Sequence, residues 1–312
     1  MVTGTASSTN NLYASKQRCF LRFCAARFLP PLPAGEVSHL LPYTALLASQ
    51  GLHRSTISSH LAAIRHYSII NGHGDPTKEA LMLGYARKGA ASSSLPSPLR
   101  EAVTLPTLLD FLSRLDLHSY DDSLFFAMAS LAFFAFLRIS EYTLANRFDP
   151  DQHLTWGGIV FTGDGLTVHL RCSKGDRLRD GVTIHVGWSS SPVCAVSAML
   201  HYRRIASSLA ISTLPQAPLF TDATGHPINS TWFADKLKQE AFKSGLRGDV
   251  TPHSLRIGAA TTAWRAGFSD SQIQTLGRWK SDSFKKYLRK SSKDSARLSG
   301  RLGALVPNVL WA

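Results

Sequence analysis

Cysteine is scarce in this chain: Cys19, Cys24, Cys172 and Cys194 are the only four in 312 residues. None forms a CxxC pair and none stands at zinc-ligand spacing from a histidine, so neither a zinc finger nor a disulfide framework is expected. Four reduced, mostly buried thiols point to an intracellular compartment, the nucleus in a eukaryote and otherwise the cytoplasm or nucleoid. Acid is scarce too. The 21 Asp and Glu are scattered along the chain, which disfavours the paired carboxylates of two-metal phosphoryl transfer. No uninterrupted apolar run reaches the length of a membrane span. The opening MVTGTASSTNN has neither a basic n-region nor an apolar h-region, so no secretory signal is expected. Also missing are a G-x-x-x-x-G-K-[ST] loop, a G-x-G-x-x-G turn after a strand and a G-x-S-x-G elbow, which leaves nucleotide-binding and hydrolase chemistries without a motif.

What is present in excess is base. Lys and Arg number 34, for a net charge of +13 and a pI near 9.9. That surplus attracts polyanions, nucleic acid first among them. A hydrophobic content of 44% is enough for ordinary cores, and the length argues for two domains.

Residues 1–11 are small and polar and are expected to be flexible. Helical periodicity starts at Leu12 and is broken by Pro30, Pro31 and Pro33. VSHLLPYTALLASQGL and STISSHLAAIRHYSIING follow as helices, the latter capped by Ser55 or Thr56, with a fourth short helix at 78–88. Residues 12–90 therefore read as a small helical bundle. GAASSSLPSPLREAVT has linker composition, placing a linker at 91–104 and a second domain at 105–312. That domain opens with the helices LPTLLDFLSRLD and SLFFAMASLAFFAFLRISEY, the second apolar nearly all round and ending in Arg138 and Glu141. Three strand signals follow, GGIVF, LTVHLRC and VTIHV, then further helices.

The densest chemistry lies in TPHSLRIGAATTAWRAGFSDSQIQTLGRWKSDSFKKYLRK. It carries His253, Arg256 and, beyond a helical stretch, a lone Tyr287 among Lys285, Lys286, Arg289 and Lys290. A second H-x-x-R, His201 to Arg204, reads as a solvated helix face.

LRISEY with Arg138 and Glu141, SKG with Lys174 between the second and third strands, HSLR with His253 and Arg256, and LGRWKSDSFKKY with Trp279 and Tyr287 occur in one order. Together they resemble the tyrosine recombinase (phage integrase) family. TISSHLAAIRHY resembles the family's core-binding domain, and with the Arg-Trp pair it resembles recombinases of mobile elements such as the Crypton and DIRS-like groups. The resemblance implies a mostly helical α+β fold: an N-terminal helical (SAM-like) core-binding bundle and a catalytic domain with a small antiparallel sheet. It implies a DNA integrase and recombinase that cuts and rejoins strands through a 3′-phosphotyrosyl intermediate, without metal, cofactor or ATP. The implied catalytic set is Arg138, Lys174, His253, Arg256, Trp279 and Tyr287, supported by Glu141 and Arg278. The implied partners are double-stranded DNA, with a homo-tetramer on paired sites and no membrane. The family places His or Trp nine residues before the tyrosine. Arg278 holds that place here and Trp279 follows it, so both stay in view.

The residue types suit that chemistry on physical grounds. Guanidinium groups offer paired N–H donors to the non-bridging oxygens of a phosphodiester, where charge grows in the transition state. His253 can donate to the phosphate or accept the phenol proton. Lys285, Lys286 and the arginines favour a phenolate at Tyr287. Capture on the tyrosine keeps the ester's energy for rejoining. Competing readings are a catalytically inactive DNA-binding relative of the same fold, a type IB topoisomerase-like enzyme, and an unrelated basic α+β protein.

Overall fold

A computed structural model describes residues 7–31, 37–78, 83–86, 89, 99–145, 147–172 and 181–296. The chain divides into two compact units, Met1–Ser97 and Pro98–Ala312. Among the described residues no helix is long and apolar enough to cross a membrane.

The first unit packs α1 (Ser7–Ala25), α2 (Val37–Ser49) and α3 (Arg54–Ile70). α1 begins at Ser7, five residues before the apolar periodicity starts. Phe20, Phe23, Leu40, Tyr43, Leu47, Ile57, Leu61 and Ile64 form its core. The Tyr43 hydroxyl meets His60 Nδ1 at 2.8 Å inside that core, which satisfies both buried polar groups. α3 is capped by His53, whose ring nitrogen accepts from the Ser55 N–H, rather than by Ser55 or Thr56. Most of the helix expected at 78–88 lies outside the described residues.

The second unit is built around α5 (Tyr120–Phe134), whose faces are buried all round. α4 (Leu105–Arg114), α7 (Ala195–Ser208), α8 (Ser230–Lys243) and α9 (His253–Arg265) pack against it. α6 (Ile139–Tyr142) is a single turn, and α10 (Asp270–Gly277) precedes a 3-10 turn at Asp282–Tyr287. β1 (Ile159–Thr162), β2 (Gly165–Leu170) and β3 (Val182–Gly187) form one antiparallel sheet in the order β1-β2-β3. Period-two burial puts Leu166, Val168 and Leu170 on the core side. Residues 99–104, within the expected linker, join this second unit: Glu101 N–H donates to Asp249 O and Val103 N–H to Ser254 O, both at 3.0 Å.

One expected helix is two. SLFFAMASLAFFAFLRISEY stops at Phe134, and Phe136 turns the chain with a left-handed φ of 49°. Leu137 N–H then donates back to Ala132 O and Phe136 N–H to Phe133 O, the paired bonds that end a helix in a Schellman turn. Glycine normally fills that position, so a phenylalanine there holds backbone strain.

Candidate functional site

Arg138 stands at the N-cap of α6, not at the C-terminus of the long helix. The Glu141 carboxylate reaches back to the Arg138 N–H at 2.8 Å and to its Nη1 at 2.9 Å. Glu141 is buried and also accepts from Arg278 Nη1 at 3.2 Å and Nη2 at 3.0 Å. Burial by itself would raise the Glu141 carboxyl, but the guanidinium of Arg278, followed by the N–H and charge of Arg138, holds it below the usual carboxylate range.

Arg278 repeats the feature seen at Phe136. It ends α10 with a left-handed φ of 55°, while Trp279 N–H donates to Gln274 O and Arg278 N–H to Thr275 O. Two helices thus end in strained Schellman turns without glycine, and one side chain joins them. Arg256 is almost wholly buried and donates Nη1 to Phe136 O and Nη2 to Gly277 O. Arg278 Nη2 reaches Phe136 O at 3.0 Å as well. Burial, then Arg138 and Arg278, push the Arg256 guanidinium down to about 9, opposed by Glu141 and Tyr287, so it is still cationic at neutral pH.

His253 opens α9, and three elements bring its partners to it. Tyr287 ends the 3-10 turn with its ring 4.9 Å from the His253 ring and 5.4 Å from the Trp279 ring. Trp279 also faces Phe136 and Phe284 and lies 4.4 Å from the Arg256 guanidinium carbon. Burial, followed by the charges of Arg100, Arg256, Arg138 and Arg289, pushes His253 down to about 4. It is therefore neutral at physiological pH and able to take a proton.

Close approach explains two glycines here. A Cβ on Gly258 would fall 1.7 Å from Val103 O, so only glycine lets α9 lie against that strand of chain. A Cβ on Gly277 would fall 1.7 Å from the Trp279 ring. Thr261, fully buried in α9, donates to Tyr287 O at 3.1 Å and accepts from Arg289 N–H at 3.2 Å.

Five of the six expected catalytic residues lie in this second unit among the described residues, and Arg256, Trp279, His253 and Tyr287 form one contiguous group. Lys174 lies outside the described residues, in the connection from β2 to β3. Lys285, expected to favour a phenolate at Tyr287, pairs with Asp282 at 2.7 Å and Asp270 at 3.3 Å. His201 sits on Leu117 O at 2.8 Å beside Arg204, far in sequence from the group. Among the described residues no group of three or more His, Cys, Asp and Glu stands together as a metal site. The contributions of Phe136 O, Thr261 and Arg100 had no local signal in the sequence, whereas Arg289 stood out in the basic run around Tyr287.

Comparison with known proteins agrees with this architecture. Residues 107–293, more than half of the chain, match the phage integrase family. An integrase/recombinase xerD homolog of Selenomonas ruminantium is 25% identical over 292 residues, 89% of this chain and 80% of its own. The XerH site-specific recombinase bound to a palindromic difH substrate shares the fold at a TM-score of 0.65 and 12% identity, covering 94% of this chain and 79% of that one. A lambda integrase tetramer bound to a Holliday junction gives 0.60 at 18% identity, covering 93% and 75%. With the match spanning α4 through the tyrosine-bearing turn, the chain belongs to the phage integrase family of tyrosine recombinases.

Proposed function

We propose that this chain recombines DNA with Tyr287 as the nucleophile. Membership of the family makes it a site-specific recombinase, an enzyme that transfers DNA strands. The observation that carries the assignment of roles is the cluster in which the Tyr287 ring meets both His253, edge to face, and Trp279, with the Arg256 guanidinium against the same indole.

In this reading the Tyr287 oxygen attacks the scissile phosphorus and neutral His253 takes the phenol proton. A bond forms between Tyr287 and the 3′-phosphate, and the bond to the 5′ oxygen breaks. Lys174 protonates that leaving oxygen. Arg256 and Arg138 stabilise the charge that grows on the non-bridging oxygens. Trp279 packs beside the phosphate and supplies an indole N–H, while Arg278 is held by Glu141. The return of the 5′ hydroxyl reverses each step and needs no ATP.

The partner in this reading is double-stranded DNA, bound with a steep loss of affinity as salt rises, because many of the 34 Lys and Arg neutralise phosphates. Exchange between two duplexes cuts four strands, and each protomer brings one Tyr287, so the working assembly is a homo-tetramer. The lambda integrase tetramer among the structural relatives supports that stoichiometry. The apolar C-terminal tail, residues 303–312, lies outside the described residues and is proposed to dock on a neighbouring protomer.

The test starts with a duplex selected from random DNA by binding and nicked beside the cleavage point. The wild-type chain forms a denaturant-resistant protein–DNA adduct, in EDTA as well as in magnesium, and Tyr287→Phe forms none while binding DNA as before. An equal adduct from the Phe variant removes Tyr287 from its role.

A further inference from the structure

Beside the catalytic group, an open cleft of about 360 Å³ is lined by Arg100, Glu101, Thr261, Arg265 and Arg289. Its charges are not equivalent. Arg265 is bound to Asp294 at 3.0 Å. Arg100 Nε lies 3.5 Å from Asp249, a loose pair between half-exposed side chains. The Glu101 carboxylate, the acid in the lining, is turned onto the Gly248 N–H at 2.5 Å. Arg289 donates Nε to Arg100 O at 3.0 Å and Nη1 to Lys286 O at 2.8 Å. Among the described residues no carboxylate lies within ion-pair distance of it. Two carbonyls thus orient a cation without neutralising it, and the cleft carries a positive surplus.

The cleft is also tied to the nucleophile. Arg289 follows Tyr287 by two residues, and the Thr261 hydroxyl fastens the Tyr287 carbonyl and the Arg289 N–H to the same atom. Arg100 and Arg289 both act on His253 strongly enough to help hold it neutral. The two guanidinium groups therefore stand within electrostatic reach of the ring that faces Tyr287. Neither belongs to the catalytic set read from the motifs.

We infer that Arg100 and Arg289 form a second phosphate subsite, which grips a DNA backbone phosphate next to the scissile one and so sets the register of the scissile phosphate against Tyr287. A phosphodiester fits the chemistry: it is a compact anion with two acceptor oxygens, and planar guanidinium groups recognise it in a fixed direction. A nucleophile that must meet one phosphorus on a continuous strand gains from a fixed point on either side of it. The subsite rests on the assignment of Tyr287 above.

The experiment is a cycle between one side chain and one phosphate. Suicide duplexes carry a single methylphosphonate, uncharged, at each position flanking the scissile phosphate in turn. Adduct formation is timed for the wild type, Arg289→Gln and Arg100→Gln, with DNA affinity and the melting temperature measured alongside. At one flanking position, loss of the phosphate charge slows the wild type by about tenfold, the scale of one charge-assisted contact. The same substitution slows Arg289→Gln or Arg100→Gln by less than about twofold, because the partner is already gone. Equal slowing of wild type and both variants at every position overturns the subsite, as does a wild type indifferent to every flanking charge. If one variant fails to melt cooperatively, the other decides the cycle. Failure of the Tyr287 assignment shows separately, as an adduct that survives Tyr287→Phe on unmodified DNA.

Discussion

Glu141 and Arg278 stand 137 residues apart in sequence and share two hydrogen bonds, with the carboxylate almost wholly buried. Through that carboxylate the turn that ends α10 is fastened to Arg138. Arg278→Met removes the guanidinium that does most to hold the Glu141 carboxyl down, and burial then raises it. A depressed carboxyl gives stability that is present above its unfolded value and is lost as pH falls through the folded value. In the variant the folded value moves up, so the acid loss begins at higher pH. The expected cost at neutral pH is on the order of 2 kcal/mol, since Arg138 stays as a partner. Melting curves between about pH 4 and pH 8 check this, and parallel curves for the two proteins refute it.

His253 gives a second pH dependence with its own sign. Its folded value is pushed down to about 4, so below its usual value near 6.5 the unfolded chain binds the proton and the folded chain does not. Stability therefore falls as pH drops from about 6.5 towards 4 and is flat above that window. His253→Gln should flatten the fall while abolishing rapid adduct formation. An NMR titration placing the His253 ring above about pH 6 contradicts a histidine held neutral by the arginines around it.

Trp279 is assigned both packing and an N–H donor, and two substitutions separate them. Trp279→Phe keeps a ring between Arg256 and Tyr287 but has no N–H. Its stability should stay within about 1.5 kcal/mol of wild type, with adduct formation slowed about tenfold. Trp279→Ala removes the plate from Phe136, Arg256 and Tyr287 together. It should cost about 3 kcal/mol in denaturant unfolding. A Phe variant as fast as wild type would leave packing as the whole role of Trp279.

The motif residues were legible because their chemistry is local: His253 and Arg256 share one helix, and Tyr287 is alone in a basic run. The three strands were legible from the segments GGIVF, LTVHLRC and VTIHV, which pair as β1, β2 and β3. The end of α5 was not. FFAFLRISEY is apolar at helical spacing throughout, and no residue in it is a usual helix breaker. The chain turns at Phe136 because its carbonyl is taken by Arg256 and Arg278, which lie more than a hundred residues away. Tertiary bonds decide that turn against local propensity. The pairing of Arg278 with Glu141 was not legible for the same reason, since spacing alone says nothing of a carboxylate 137 residues away. Gly258 and Thr261 carried no motif; their meaning comes from Val103 O and from the backbone around Tyr287.

Thr261 supplies the last prediction, because it fixes the nucleophile without touching the phenol. Its hydroxyl, buried in α9, is at once the donor to Tyr287 O and the acceptor from Arg289 N–H. Thr261→Val keeps nearly the same shape and leaves both backbone groups without that partner. Unpaired polar groups cost roughly 1–3 kcal/mol each when buried, so the short turn at Asp282–Tyr287 should loosen. Both backbone groups are only partly buried, so water can re-pair them and the loss of global stability is expected to stay near the lower end, about 1 kcal/mol, while adduct formation should slow about tenfold with DNA affinity unchanged. Thr261→Ser restores the hydroxyl and should restore the rate. A purely structural role would move the melting temperature of both variants together with the rate. If Thr261→Val forms adduct as fast as wild type, the position of Tyr287 does not depend on this hydroxyl.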